Sequence, residues 1–174
     1  MAIKKIITEP DPLLRKKSIS VDKVDRSLQK LMDDMIATMY HAPGIGLAAV
    51  QIGLLKRIIV IDISKDENEK NPLFLVNPKK VWTSKETSIY EEGCLSIPGY
   101  FAEVERPSVC EVEYLDYFGK SQKIKTDGLL STCLQHEIDH LDGILFIDYL
   151  SKLKKDLIIK KLSKQKNLSK NLVL

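Results

Sequence analysis

The five residues His136-Glu137-Ile138-Asp139-His140 form an H-E-x-x-H sequence, and no other feature of the chain narrows its structure so far. On a helix, residues i and i+4 share a face, so both imidazoles reach one metal ion while Glu137 stands beside them, placed to take a proton from water. The chain must therefore build a helix here and hold it against a cleft. Leu130, Leu134, Ile138, Leu141 and Leu145 give that helix a separate apolar face for the core, which leaves the histidine face free. The simpler alternative is a solvated helix with two surface histidines. It is disfavoured by this division of faces and by rarity, since a random chain of this size contains the pattern on the order of once in a few hundred. The third histidine, His41, closes an earlier predicted helix, where an imidazole near the last carbonyls serves structure.

Two histidines do not hold a catalytic metal alone; a third protein ligand is needed, with one position left open. Proteases of the thermolysin type take a downstream Glu, and this chain has no Glu after His140. Metzincins extend the motif to a third histidine, but here Gly143 matches and the last position is Phe146. Asp142, Asp148 and Asp156 leave an aspartate variant open, so a small metallopeptidase stands as the alternative enzyme. The cysteines offer thiolates. Cys133 lies one turn before His136, Cys110 falls in a predicted strand, and Cys94 sits in Glu91-Glu92-Gly93-Cys94-Leu95-Ser96. Spacing does not choose between Cys94 and Cys133, and a buried cysteine is more often a small apolar core residue than a ligand. Three cysteines with no C-x-x-C pair argue against a disulfide framework and for a reducing cytosol.

At 174 residues, 44% hydrophobic and 29% charged, the chain is sized for one domain, residues 1–174, and is too apolar to be disordered. No run approaches about 18 consecutive apolar residues, the length of a membrane span. Lys4 and Lys5 stand where a signal peptide carries its apolar segment, so membrane insertion and export are not expected. A short helical turn is predicted over 11–17. A firmer helix runs from about Asp25 to His41, where Leu28, Leu31, Met32, Met35, Ile36 and Met39 share a face and Pro43-Gly44 stops it. Strand-like runs follow at 48–53, 57–63, 73–82, 87–92, 109–114 and 122–126, with Pro98-Gly99 and Phe118-Gly119 among the turns. The H-E-x-x-H helix is predicted from Gly128 to about Leu141. Strands grouped between helices, without βα alternation, predict an α+β domain. Antiparallel or mixed sheets pack around the central helix, and a C-terminal helix closes the chain.

The net charge of +3 conceals an asymmetry. From Ser151 to Leu174 there are eight lysines and one acid, a net of +7, so the first 150 residues carry −4. Leu150, Leu153, Leu157 and Leu162 recur at helical spacing in that lysine field and predict an amphipathic helix that frays after about Asn167. Such a face is usually only solvated; its functional reading is contact with a polyanion such as RNA. An RNA-binding or structural metal module is thus the alternative outside enzymes, but a closed metal site needs a fourth ligand, and the sequence supplies no obvious one.

Gly44-Ile45-Gly46-Leu47-Ala48-Ala49-Val50-Gln51 matches G-x-G-x-x-A, yet it follows a helix and runs towards strand-like residues, the reverse of the context a dinucleotide fingerprint requires. Two glycines allow another backbone to approach closely, and Gln51 offers an amide donor that can polarise a carbonyl. An ordinary helix-to-strand turn is the competing reading of this segment alone.

The segment does not stand alone. It is followed by Glu92-Gly93-Cys94-Leu95-Ser96 and then by Gln135-His136-Glu137-Ile138-Asp139-His140, and the three together resemble, in order and completely, the signature motifs of peptide deformylases. The resemblance spans about residues 1 to 165. It implies Cys94 as the third metal ligand beside His136 and His140. It implies a hydrolase that removes the formyl group from N-formylmethionyl nascent chains and releases formate. Glu137 is then the proton acceptor and donor, and the Gln51 side-chain amide and the Leu95 backbone N–H serve the developing oxyanion. Ile45, Gly46 and Gly93 hold the peptide as an added strand, while Tyr90, Glu92, Leu129 and Cys133 surround the methionine side chain. The implied cofactor is one divalent metal ion, Fe²⁺ in the cell, with Zn²⁺, Ni²⁺ or Co²⁺ replacing it in purified protein. A cytoplasmic monomer with no membrane partner, touching the ribosome through its basic tail, completes the implied picture. One position departs: some bacterial relatives carry Arg seven residues after the metal cysteine, where this chain has Phe101, which bears on contacts to the outer part of the peptide.

Overall fold

The computed structural model describes residues 2–64, 66 and 69–171. Helix α1 spans Arg26–His41 and is started by Asp25, whose carboxylate accepts a hydrogen bond from the Leu28 N–H at 2.9 Å. Strands β1 (Gly46–Ala48), β2 (Ile58–Ile61), β3 (Leu73–Thr83), β6 (Cys110–Leu115) and β7 (Ser121–Thr126) form one five-stranded sheet in the order β1-β2-β3-β6-β7. Strands β4 (Thr87–Cys94) and β5 (Ile97–Pro107) form a separate two-stranded hairpin. Every pairing between these strands is antiparallel. Helix α2 spans Gly128–Leu141, as its apolar spacing predicts, and α3 spans Lys152–Asn171.

Side-chain alternation explains how the sheet serves two helices at once. In β2, Ile59 and Ile61 point into the cluster that holds Leu134, Ile138 and Leu141 of α2. Ile58 and Val60 point the other way, into the cluster that holds Leu28, Met32, Met35 and Met39 of α1. The continuous apolar run Ile58-Ile59-Val60-Ile61 is therefore a strand buried on both faces. Each fully buried Leu or Ile contributes roughly 1.5–3 kcal/mol, so α2 is fixed in depth and rotation by this packing before any ligand binds. A third cluster joins Ile97 and Val104 of β5 to Leu145, Phe146 and Ile147 and to Leu162 of α3.

Three expectations need correction. The predicted strand over 48–53 stops at Ala48, and Ala49–Ile52 is a 3-10 turn. The Gln51 side chain accepts from the Ala48 N–H at 2.8 Å and Gly53 takes φ +83°, which together close the chain into the turn. Strand β5 was not expected, because Pro98-Gly99 reads as a turn; the strand runs through that pair, and the reversal from β4 lies at Leu95-Ser96 instead. Helix α3 continues to Asn171, beyond the expected fraying point, and residues 172–174 lie outside the described residues. Its buried side is also different. Leu162 is buried and Ile158 and Ile159 pack beside it, whereas Leu153 and Leu157 are exposed. Among the described residues no helix is long and apolar enough to cross a membrane.

Candidate active site

Packing of α2 against the sheet on one side and the hairpin on the other buries every residue from Ser131 to Leu141. His136 and His140 project from that helix with ring centroids 4.9 Å apart at 77°. Cys94 reaches them from the end of β4, where the strand register shifts between Gly93 and Cys94 and so re-aims the side chain. The ligand atoms of Cys94, His136 and His140 all lie within 4.8 Å of one another, and the Cys94 Sγ is 3.2 Å from His140 Nε2.

The donor set fits a divalent transition metal. Metal–sulfur and metal–nitrogen bonds of about 2.3 and 2.0 Å place tetrahedral donors roughly 3.5 Å apart, close to the observed thiol-to-imidazole separation. Burial holds the His140 imidazole well below its usual pKa, hence neutral with a lone pair to give. The Ser96 backbone N–H donates to the Cys94 Sγ at 3.4 Å. Neither remaining cysteine joins the cluster. Cys110 is buried in the core under α2, and the Cys133 thiol, pushed well up by burial, lies 3.8 Å from the Ile45 carbonyl.

Beside the cluster opens a cavity of about 490 Å³. Gln51, Leu95, His136 and Glu137 line its inner end with Cys94, while His140 lies behind them. Ile45, Gly46, Tyr90, Gly93, Leu129 and Cys133 line the remainder, so the residues named for substrate in the sequence converge here. Gly46 must be glycine, because a Cβ there would overlap the Glu137 carboxylate. A Cβ on Gly93 would come within 2.5 Å of the Phe101 ring, so this 68% exposed ring, which lines the cavity, would have to swing away. Strands β1 and β4 border the cavity and each has one edge unpaired within its sheet.

Glu137 is 4% exposed, and its Oε2 has no partner among the described residues. Burial pushes its carboxyl up to about 7, with the charge of His136 opposing and that of Glu92 adding to the shift. A carboxyl poised near neutrality beside a metal cluster suits proton transfer at physiological pH.

Glu92 has partners beyond the cavity. It borders the cavity, but its carboxylate accepts from Arg106 Nε at 2.5 Å and Nη2 at 3.0 Å, and its Oε2 lies 2.8 Å from His136 Nδ1. Burial alone would raise its pKa, but the hydrogen bonds from His136 and Arg106 outweigh it and keep the carboxyl ionised. With Nδ1–H directed at Glu92, Nε2 is the His136 nitrogen that faces Cys94 and is placed to coordinate a metal once its proton is displaced. Glu92 therefore borders the cavity, as expected, and is also tied to His136. Arg106 also donates to Asp139 Oδ2 at 2.7 Å, which accepts from the Tyr149 hydroxyl at 2.7 Å. Arg106, Asp139 and Tyr149 were not singled out in the sequence. Asp139 lies inside the H-E-x-x-H window, one turn from His136, and is the only signal that could have pointed to them.

Known proteins are similar to this chain in sequence and in fold. The model of the family described as polypeptide deformylase matches residues 3–156. A peptide deformylase of Pelagibacter ubique is 64% identical over 167 residues, covering 96% of this chain and 97% of the relative. One from Rhizobium meliloti is 58% identical over 164 residues, covering 94% of each. The crystal structure of a peptide deformylase from Ehrlichia chaffeensis in complex with actinonin superposes with a TM-score of 0.90 at 47% identity, covering 95% of this chain and 98% of that one. Matched so fully in sequence and in fold, the chain belongs to the polypeptide deformylase family.

Proposed function

We propose that this enzyme hydrolyses the formyl group of N-formylmethionyl nascent chains, releasing formate and a free amino terminus, with the site just described as its catalytic centre. The observation that carries the assignment of residues is the buried Glu137 carboxylate, whose Oε2 has no partner among the described residues, beside the Cys94, His136 and His140 cluster on a cavity of about 490 Å³. A divalent metal held by Cys94 Sγ and the two imidazoles supplies Lewis acidity, polarising the formyl carbonyl and making water easier to deprotonate. Glu137 accepts the proton of the water whose oxygen adds to the formyl carbon, then returns it to the amine nitrogen as the C–N bond breaks. The Gln51 Nε2 and the Leu95 backbone N–H donate to the oxygen as it gains charge. The peptide lies as an added strand along the free edges of β1 and β4, bonded through Ile45, Gly46 and Gly93, so its main chain is read without regard to sequence. Tyr90, Leu129 and Cys133 enclose the methionine side chain, and Glu92 orients His136.

A metallopeptidase is not favoured, since the family is deformylase. Mass analysis of one peptide in formylated and unformylated forms separates the two: only formyl loss is expected, and cleavage of an internal bond would contradict the reading.

Replacing Gln51 by Ala removes one oxyanion donor and should lower kcat by roughly 10²- to 10³-fold with little change in KM. A defect confined to KM would make Gln51 a binding residue instead.

Metal identity follows from ligand chemistry weighed with the family resemblance. One thiolate and two imidazoles bind zinc more tightly than ferrous iron, so zinc is favoured in purified protein; the resemblance favours Fe²⁺ in the cell. Apoprotein loaded anaerobically with Fe²⁺, Co²⁺ or Ni²⁺ is expected to turn over fast and with Zn²⁺ slowly, and air should inactivate the ferrous form by oxidising the metal and the Cys94 thiolate. A fastest zinc form and a ferrous form indifferent to air would reverse this assignment.

Residues 1–174 act as one catalytic domain, a monomer in the cytoplasm, with α3 as a ribosome contact. Lys152, Lys154, Lys160, Lys161 and Lys164 stand on α3, and a polyanion is the natural partner of such a field. Replacing Lys160, Lys161 and Lys164 by Glu, which leaves the buried Leu162 in place, should weaken salt-sensitive ribosome binding while hydrolysis of a short peptide survives. Equal ribosome affinity with and without these lysines would leave α3 a solvated face.

A further inference from the structure

Gln51 is 1% exposed, and its side chain is fixed at both ends. Its Oε1 accepts from the Ala48 N–H at 2.8 Å. An amide nitrogen in that place would face a donor with a donor, so the bond decides which end of the amide looks into the cavity. The Nε2 therefore faces inward with two hydrogens to place. It donates to Ser96 Oγ at 3.1 Å and, at the longer distance usual for sulfur, to Cys94 Sγ at 3.5 Å. Ser96 is 0% exposed and does not line the cavity, so it has no route to substrate.

The backbones of the two residues are tied as well. The Ile7 N–H donates to the Gln51 carbonyl at 2.8 Å, and the Glu9 N–H donates to the Ser96 carbonyl at 2.9 Å. Two residues of the N-terminal segment thus join the turn after β1 to the reversal between β4 and β5. The side-chain bond from Gln51 to Ser96 closes the same ring.

We infer that Ser96 is a positioning residue for deformylation: its hydroxyl takes one hydrogen of the Gln51 amide and so directs the other at the reacting carbonyl oxygen, while Ile7 and Glu9 hold the two backbones in register. This rests on the reading of Gln51 as an oxyanion donor. The terminal torsion of a glutamine is soft, so with the hydroxyl gone the Ala48 bond and the longer bond to Cys94 Sγ alone restrain the amide, and its hydrogens are held less firmly in one direction.

The test is a double-mutant cycle on metal-loaded enzyme, with a formyl-Met peptide as substrate and metal content measured on every sample. Ser96→Ala should lower kcat by about three- to tenfold, the scale of one neutral hydrogen bond, with KM and metal content unchanged. In a Gln51→Ala background the same substitution should cost nothing further. An equal loss in both backgrounds would overturn the inference, because Ser96 would then act on Cys94 or on the fold. If Gln51→Ala costs turnover and Ser96→Ala does not, the inference alone falls; if Gln51→Ala costs none, the oxyanion reading falls and takes the inference with it. A readout independent of activity is the side-chain amide of Gln51 in ¹⁵N-labelled, zinc-loaded protein. Its protons should be protected from exchange with water in the unmodified chain and lose protection in Ser96→Ala, and free exchange in the unmodified chain would overturn the inference even without the variant.

Discussion

Glu137→Gln is expected to keep the fold and a full complement of metal while lowering turnover by roughly 10²- to 10⁴-fold, the usual contribution of a positioned proton-transfer group. The amide has the shape of the carboxylate but cannot accept the proton of the attacking water. Stability should not suffer. The Glu137 Oε2 is buried without a partner among the described residues, and a neutral amide is less costly to bury than a carboxylate. Thermal unfolding should therefore occur at the same temperature or higher. Two measurements on one sample, kcat and bound metal, check the claim. Activity within tenfold of the unmodified enzyme would remove Glu137 from the chemistry, and loss of metal would recast it as a structural neighbour of the ligands.

Cys94→Ala should abolish metal binding and, with it, turnover. Two imidazoles on one helix remain, and two protein ligands do not retain a catalytic metal through purification. Metal per chain should fall from near one to near zero, with activity at the level of the apoprotein. Cys110→Ala is the control, since that thiol is buried in the core under α2 and away from the cluster; it should keep metal and lose only a modest amount of stability. Cys94→Asp is expected to retain metal, because a carboxylate also coordinates, while changing the charge delivered to the site. Full occupancy in Cys94→Ala would end the ligand assignment.

Much of this was legible in the residues, and what was not has physical reasons. Helix α2 matches its predicted span because periodicity reports a face, and the face was strongly apolar from Leu130 to Leu141. The same reasoning misjudged α3. Of the expected stripe Leu150 and Leu162 do pack, but Leu153 and Leu157 are exposed, and Ile158 and Ile159 instead meet the surface that the hairpin and the turn at 146–149 offer. Periodicity cannot say which of two apolar stripes finds a partner. Pro98-Gly99 hid β5 because local turn chemistry is a weaker constraint than pairing with β4, which forms eight residue pairs between Thr87 and Cys94 and their partners. The site shows the same division. The three motifs bring Cys94, His136, His140 and Glu137 together in space, but they carry no sign that the Glu92 carboxylate pairs with Arg106, which comes from the other strand of the hairpin. A buried ion pair between strands leaves no periodic trace in either. The Gln51 to Ser96 bond escaped for the same reason, since the two residues are 45 positions apart and meet only when the β4–β5 reversal folds onto the turn after β1.

The central claim is that one metal ion, held by Cys94, His136 and His140, makes this chain a deformylase. It is tested most directly by titrating apoprotein with Co²⁺ under anaerobic conditions while formate release from a formyl-Met peptide and bound metal are measured on the same samples. Formate release should start from background, rise in proportion to bound metal and saturate at one ion per chain. Formate release by metal-free protein, or saturation only at a second ion, would contradict it.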